Sequence, residues 1–125
     1  MNWWLWSMNE LEGLMIYKQY IEFIDYTLMI LKKYPKSERF SLVNDIKNSI
    51  YNGIKKIIIA NKEYNKSKRI IVLNDMDNEL KILKVLIRVS YKQRYISSKN
   101  YSSWSKKITN INNLLFGWIK ACLRV

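Results

Sequence analysis

The chain of 125 residues carries 22 bases against 10 acids, a net charge of +12, with 49% apolar residues; length and composition fit one domain with its own core. It contains no His and one Cys, which removes the usual neutral-pH acid–base group, any disulfide and any Cys/His zinc spacing. No phosphate-binding glycine loop, GxGxxG fingerprint or GxSxG elbow occurs, and no set of Asp, Glu, Lys or Tyr stands out, so the chain reads as non-catalytic, without cofactor or metal.

Three Gly and one Pro are few, which favours a few long helices over many short strands. Residues 1–13 read as an N-terminal extension that carries Trp3, Trp4 and Trp6 and reaches Gly13. It is a frayed tail, or the result of a start assigned too early with Met8 or Met15 the true first residue, or an aromatic anchor for a partner. Residues 14–125 hold the helices. The first is expected over 14–33, with Leu14, Tyr17, Ile21, Ile24, Leu28 and Leu31 as its core-facing seam at alternating spacings of three and four. Pro35 ends it, because the residue before proline avoids the helical region, and Ser37 is placed to cap the next helix.

The second helix is expected over 38–64, with a seam of Val43, Ile46, Ile50, Ile54 and Ile57. Gly53 sits inside it, where Gly costs ~1 kcal/mol against Ala, so close approach of another helix is expected there. The third spans 67–94 with a seam of Leu73, Met76, Leu80, Leu83, Ile87 and Tyr91. After a short loop, Ser97 or Ser98 caps a fourth helix with the most regular repeat in the chain: Tyr101, Trp104, Ile108, Ile111, Leu115, Trp118 and Cys122. Cys122 lies on the seam as packing filler. Loops this short force neighbours antiparallel, which makes the fold class all-α, an up-down antiparallel four-helix bundle.

Apolar residues cover ~200° of the first helix's wheel, more than one buried stripe requires. Ile16, Tyr20, Phe23 and Ile30 form a second face there, and Ile82, Val85, Leu86 and Val89 form one on the third helix. Such faces are expected to be subunit contacts, so the protein should oligomerise with itself. The longest apolar runs have four residues, such as Leu28-Met29-Ile30-Leu31, against about twenty for a membrane span. The N-terminus lacks a secretory pattern, and the reading is cytoplasmic, with no membrane partner.

Abundant Asn, Ile, Lys and Tyr suggest AT-rich coding, which inflates Lys by itself. The distribution argues for more. Residues 1–25 hold Glu10, Glu12, Glu22 and Asp25 against Lys18, whereas residues 80–125 hold ten bases and no acid. On the fourth helix Lys99, Lys106, Lys120 and Arg124 fall on one side of the wheel, far from the seam. On the third, Lys66, Lys81, Lys84, Arg88 and Lys92 form a stripe beside it. A solvated face usually mixes signs and gains from i, i+4 pairs, so a single-sign face points to a polyanion, with nucleic acid the first candidate. Tyr91 and Tyr95 alternate with Lys92 and Arg94; they stack on bases, or Tyr91 is core and Tyr95 closes the loop.

Three segments stand in order at a familiar spacing: Tyr34-Pro35-Lys36-Ser37-Glu38-Arg39-Phe40, Leu83-Lys84-Val85-Leu86-Ile87-Arg88-Val89-Ser90-Tyr91, and Gly117-Trp118-Ile119-Lys120. Over roughly 17–123 the chain resembles the accessory variability determinant (Avd) proteins of diversity-generating retroelements. The resemblance implies a four-helix bundle assembled into a basic homopentameric barrel. It implies as partners the element's reverse transcriptase and template RNA or DNA, in a complex that makes mutagenised cDNA for retrohoming while the polymerase does the chemistry. Arg39 and Arg88 match basic positions of the motifs, where each either binds RNA or the polymerase or braces a subunit contact. The bundle proteins of ribosomal RNA intervening sequences are similar too, and imply a structural or RNA-associated role without a polymerase.

Overall fold

The computed structural model describes residues 11–124. Four helices account for most of them: α1 (Leu11–Leu31), α2 (Leu42–Lys62), α3 (Lys66–Lys92) and α4 (Ser98–Leu123), with a single 3-10 turn (Lys36–Glu38) between α1 and α2. Each helix packs on its chain neighbours, and α1 closes the ring against α4. The pairings are antiparallel. Thr27, late in α1, accepts a 3.0 Å hydrogen bond from Trp104 Nε1, early in α4. At the other end of α1, the Gly13 carbonyl accepts from Asn61, in the last turn of α2, at 3.3 Å.

The helix ends follow local chemistry. Asn65 caps α3 by accepting from the Lys68 amide at 3.0 Å, and Ser97 caps α4 by accepting from the Asn100 amide at 3.1 Å. The expected cap at Ser37 is not used. Pro35 leads into the 3-10 turn instead, and α2 starts at Leu42 behind Ser41, whose hydroxyl donates to Glu38 at 2.7 Å. α3 stops at Lys92 rather than Arg94, because Arg94 turns into the left-handed region (φ 63°) and the Tyr95 amide donates back to the Ser90 carbonyl at 3.0 Å. α2 ends at Lys62 rather than Tyr64, and α1 at Leu31.

The seams of α2 and α4 stand as expected, except that Ile54 and Tyr101 are only half-buried. Trp104 and Trp118 are fully buried on α4, and burial of each large apolar side chain is worth about 1.5–3 kcal/mol. α1 corrects the sequence reading. Its core face is Ile16, Tyr17, Tyr20, Phe23, Thr27, Ile30 and Leu31, so the residues taken for a second face are the core. Of the expected seam, Ile21 is exposed and Leu14, Ile24 and Leu28 are half-buried. With apolar residues on more than half the wheel, periodicity could not choose between the flanks, and Thr27 at the centre of the buried face broke the pattern.

α3 brings a smaller correction. Tyr91 is 39% exposed, and Ser90 takes the buried position, with its hydroxyl donating to the Leu86 carbonyl at 2.9 Å. The second apolar face expected on α3 is exposed: Ile82, Val85 and Val89 face outward, joined by Ile71, with Leu86 half-buried beside them. Gly53 does admit a close neighbour, though a side chain rather than a helix backbone. A Cβ there would overlap the Tyr20 hydroxyl and come within 2.6 Å of Tyr20 Cζ. The room lets Tyr20 lie across α2 and donate to the Ile50 carbonyl at 2.7 Å.

Candidate nucleic-acid interface

The α4 basic residues form a continuous outer face. Lys99, Lys106, Lys120 and Arg124 are all exposed, and at ~1.5 Å rise per residue they run along about 37 Å of helix. The ion pairs Lys56–Asp75 at 3.7 Å and Lys81–Asp77 at 2.8 Å include none of the four. Gly117 and Asn113 lie between them on the same face, and the space where a Gly117 Cβ would stand is open.

The α3 stripe divides. Lys81 is held by Asp77 one turn earlier, so it is not the uncompensated charge the wheel suggested. Asp77 is mostly buried and its other carboxylate oxygen has no hydrogen-bond partner, which favours keeping that lysine in place. Lys66 turns its ammonium toward the Arg124 carbonyl at 3.5 Å, at the end of α4. Lys84 and Arg88 line a cleft of about 320 Å³ with Tyr101, Ser105 and Thr109 of α4, and Lys92 is exposed near its end. From Thr109 the α4 wheel turns about 60° more to Lys106. The α3–α4 groove and the outer face of α4 therefore form one positive surface.

Tyr91 stacks on Tyr101 with ring centroids 4.5 Å apart and planes 6° from parallel. Tyr101 lines the groove, and Tyr91 stacks on it from the end of α3, exposed rather than core. Tyr95 closes the α3–α4 loop, its ring 5.5 Å from that of Tyr34. Burial pushes the Tyr95 phenol upward, and the Glu38 charge and the phenol's hydrogen bond to that carboxylate add to the effect.

Arg39 does not join this surface. It lies across the bundle, in a cleft between the end of α1 and the start of α2, with Lys32, Lys36 and Lys47. Of these four only Arg39 is a candidate from sequence, because the others sit on separate segments that no wheel combines. Burial pushes the phenol of Tyr34, which also lines this cleft, up to about 12.

Arg69 is the cation that no sequence pattern could sort from the rest. It is buried, donates from Nε to the carbonyls of Ala60 and Glu63 at 3.0 Å each, and lies 5.9 Å from the Trp118 ring centroid. It thereby supplies side-chain donors to carbonyls at the end of α2, where the Ala60 carbonyl also accepts from the Glu63 amide at 3.3 Å. Cys122 is buried beside it, its Sγ 4.0 Å from Nη1.

Among the described residues no group of His, Cys, Asp or Glu could hold a metal, and no helix is long and apolar enough to cross a membrane. Trp3, Trp4 and Trp6 lie outside the described residues. A family model described as bAvd-like matches residues 14–122, which takes in α2, α3 and nearly all of α1 and α4. No curated protein matches the chain.

Proposed function

The chain belongs to the bAvd-like family, and on that premise we propose that it is a non-catalytic accessory protein of a diversity-generating retroelement. It binds template RNA or DNA along the α3–α4 groove and the outer face of α4, and it binds the element's reverse transcriptase, in support of mutagenic cDNA synthesis and retrohoming. The observation that carries the nucleic-acid reading is the row Lys99, Lys106, Lys120 and Arg124, exposed and without an ion-pair partner among the described residues. Phosphates are the natural counter-charge for such a row, and they read no sequence. Gly117 supports it further. Nothing within the described chain fills the space above it, so a partner can approach the helix backbone between the lysines.

The chain works as a homo-oligomer, a pentameric barrel by family likeness. The exposed cluster Ile82, Val85 and Val89 supports a subunit contact, since contiguous apolar surface of this kind is usually covered. It runs beside Lys84 and Arg88, so assembly would set basic grooves next to subunit seams.

The test is RNA binding by fluorescence anisotropy across a salt series, with light scattering for the assembly. Binding should weaken steeply with salt. Reversing Lys106, Lys120 and Arg124 together to Glu should cut the log–log slope by about 2–3, at ~0.7–0.9 for each phosphate that no longer meets a base. An unchanged slope in a variant with full helical circular dichroism would remove the α4 face from the reading. A monomer at micromolar concentration would remove the assembly, and failure of the co-expressed reverse transcriptase to co-purify would remove the polymerase partner.

A further inference from the structure

The cleft between α1 and α2 has a chemistry that the α3–α4 surface lacks. It has a volume of about 510 Å³, within the ~300–1,000 Å³ of small-ligand sites. Its interior is apolar, formed by Leu31, Val43 and the ring of Tyr34, with Tyr51 as an aromatic wall that is 38% exposed. Its rim is cationic. Lys32 comes from the turn just after α1, Lys36 from the 3-10 turn, Arg39 from the connection and Lys47 from α2.

No carboxylate is among the lining residues, and neither Lys56–Asp75 nor Lys81–Asp77 reaches them. Glu38, the acid nearest in sequence, lies outside the lining and accepts from the Ser41 hydroxyl at 2.7 Å. Four like charges around one concavity repel one another, and a multiply charged anion in the cleft relieves all four at once. A flat basic surface suits a strand of phosphates. A concavity with an apolar, aromatic interior suits an anion that also carries a ring, because the ring can leave water while the phosphates meet the rim.

We propose that this cleft binds a nucleoside polyphosphate, with the heterocycle against Tyr51 and the apolar interior and the phosphates at Lys32, Lys36, Arg39 and Lys47. The ligand is either a free nucleoside triphosphate or the triphosphorylated 5′ end of an RNA, which present the same group. In the ring of four helices the α1–α2 groove is opposite the α3–α4 groove, so this site is separate from the surface proposed for template binding and stands or falls independently of it.

The test is calorimetric titration of the full-length protein with ATP and GTP, and with inorganic tripolyphosphate and adenosine as controls. The nucleotides should saturate one site per chain and bind about tenfold or more tighter than either control. Arg39→Glu with Lys47→Glu should weaken them by about tenfold or more, while Lys106→Glu with Lys120→Glu leaves them unchanged. Tyr51→Ala should weaken ATP and spare tripolyphosphate. The two sources separate by competition. Displacement of ATP by a 5′-triphosphorylated oligonucleotide, but not by its 5′-hydroxyl twin, assigns the site to strand ends, and lack of displacement assigns it to free nucleotides. Tripolyphosphate binding as tightly as ATP, nucleotide affinity lost on reversing the α4 lysines, or no saturable binding by the folded protein would each overturn the proposal.

Discussion

Arg69 and Arg39 are the same side chain at opposite ends of the bundle, with opposite fates. Arg69, in the first turn of α3, is buried against Trp118 and donates to the last carbonyls of α2. Arg39, after the 3-10 turn, is exposed at the rim of a cleft with three lysines and no acid. One charge is used up inside the chain, and the other meets no acid among the residues that line its cleft. The same contrast separates two helical glycines. Gly53 has its space filled by Tyr20, whereas the space at Gly117 is open. Net charge and residue type therefore do not distinguish the members of each pair; what each group already contacts does.

The strongest way to break this comparison is to exchange the two arginines for a residue of similar volume. Arg69→Met should cost about 3 kcal/mol, since buried carbonyls lose a charged donor, whereas Arg39→Met should stay within about 0.5 kcal/mol. Urea unfolding of both variants decides it, and similar losses would mean that Arg39 is structural as well.

Gly53→Ala comes next. The added methyl meets a ring that is itself buried, so overpacking should cost about 1–3 kcal/mol in the same assay. No loss would mean that Tyr20 moves aside freely. Gly117→Ala should have the opposite sign, a gain of up to about 1 kcal/mol from helix propensity, together with weaker RNA binding because the methyl stands on the proposed face. A gain in stability at unchanged affinity would detach position 117 from the interface.

The smallest expected effect distinguishes two lysines one turn apart. Lys84→Ala should lower the salt slope of RNA binding by about 0.7–0.9. Lys81→Ala should leave it nearly unchanged, because Asp77 already neutralises that charge. Equal slopes would show that the Asp77 pair does not hold in the complex.

Much of the fold was legible in the sequence because helices declare themselves over short distances. The α4 repeat from Trp104 to Cys122 is buried at each step, and Ser97 caps the helix as its position suggested. What sequence misread depends on partners far away in the chain. Thr27 is buried because Trp104, 77 residues later, donates to it. That pairing turned the buried face of α1 away from the flank that periodicity favoured. Arg69 looked like one more base in a run of them, and only the fold supplies its acceptors.

The candidate interface was legible where charges share one helix, as with Lys99, Lys106, Lys120 and Arg124. Lys81 shows the limit even there. Asp77, one turn before it, lies just outside the acid-free stretch of residues 80–125, so the wheel counted the lysine as free. The α1–α2 cleft was not legible, because Lys32, Lys36 and Lys47 meet Arg39 only through the turn between the two helices.

Cys122 is the one thiol in the chain and is shut in beside Arg69. A thiol-specific reagent therefore reaches it only when the end of α4 lifts from the start of α3, so the labelling rate times that opening. Each protein molecule thus carries a clock at the end away from the Arg39 cleft, one that can be read before and after a ligand is added without engineering a new labelling site.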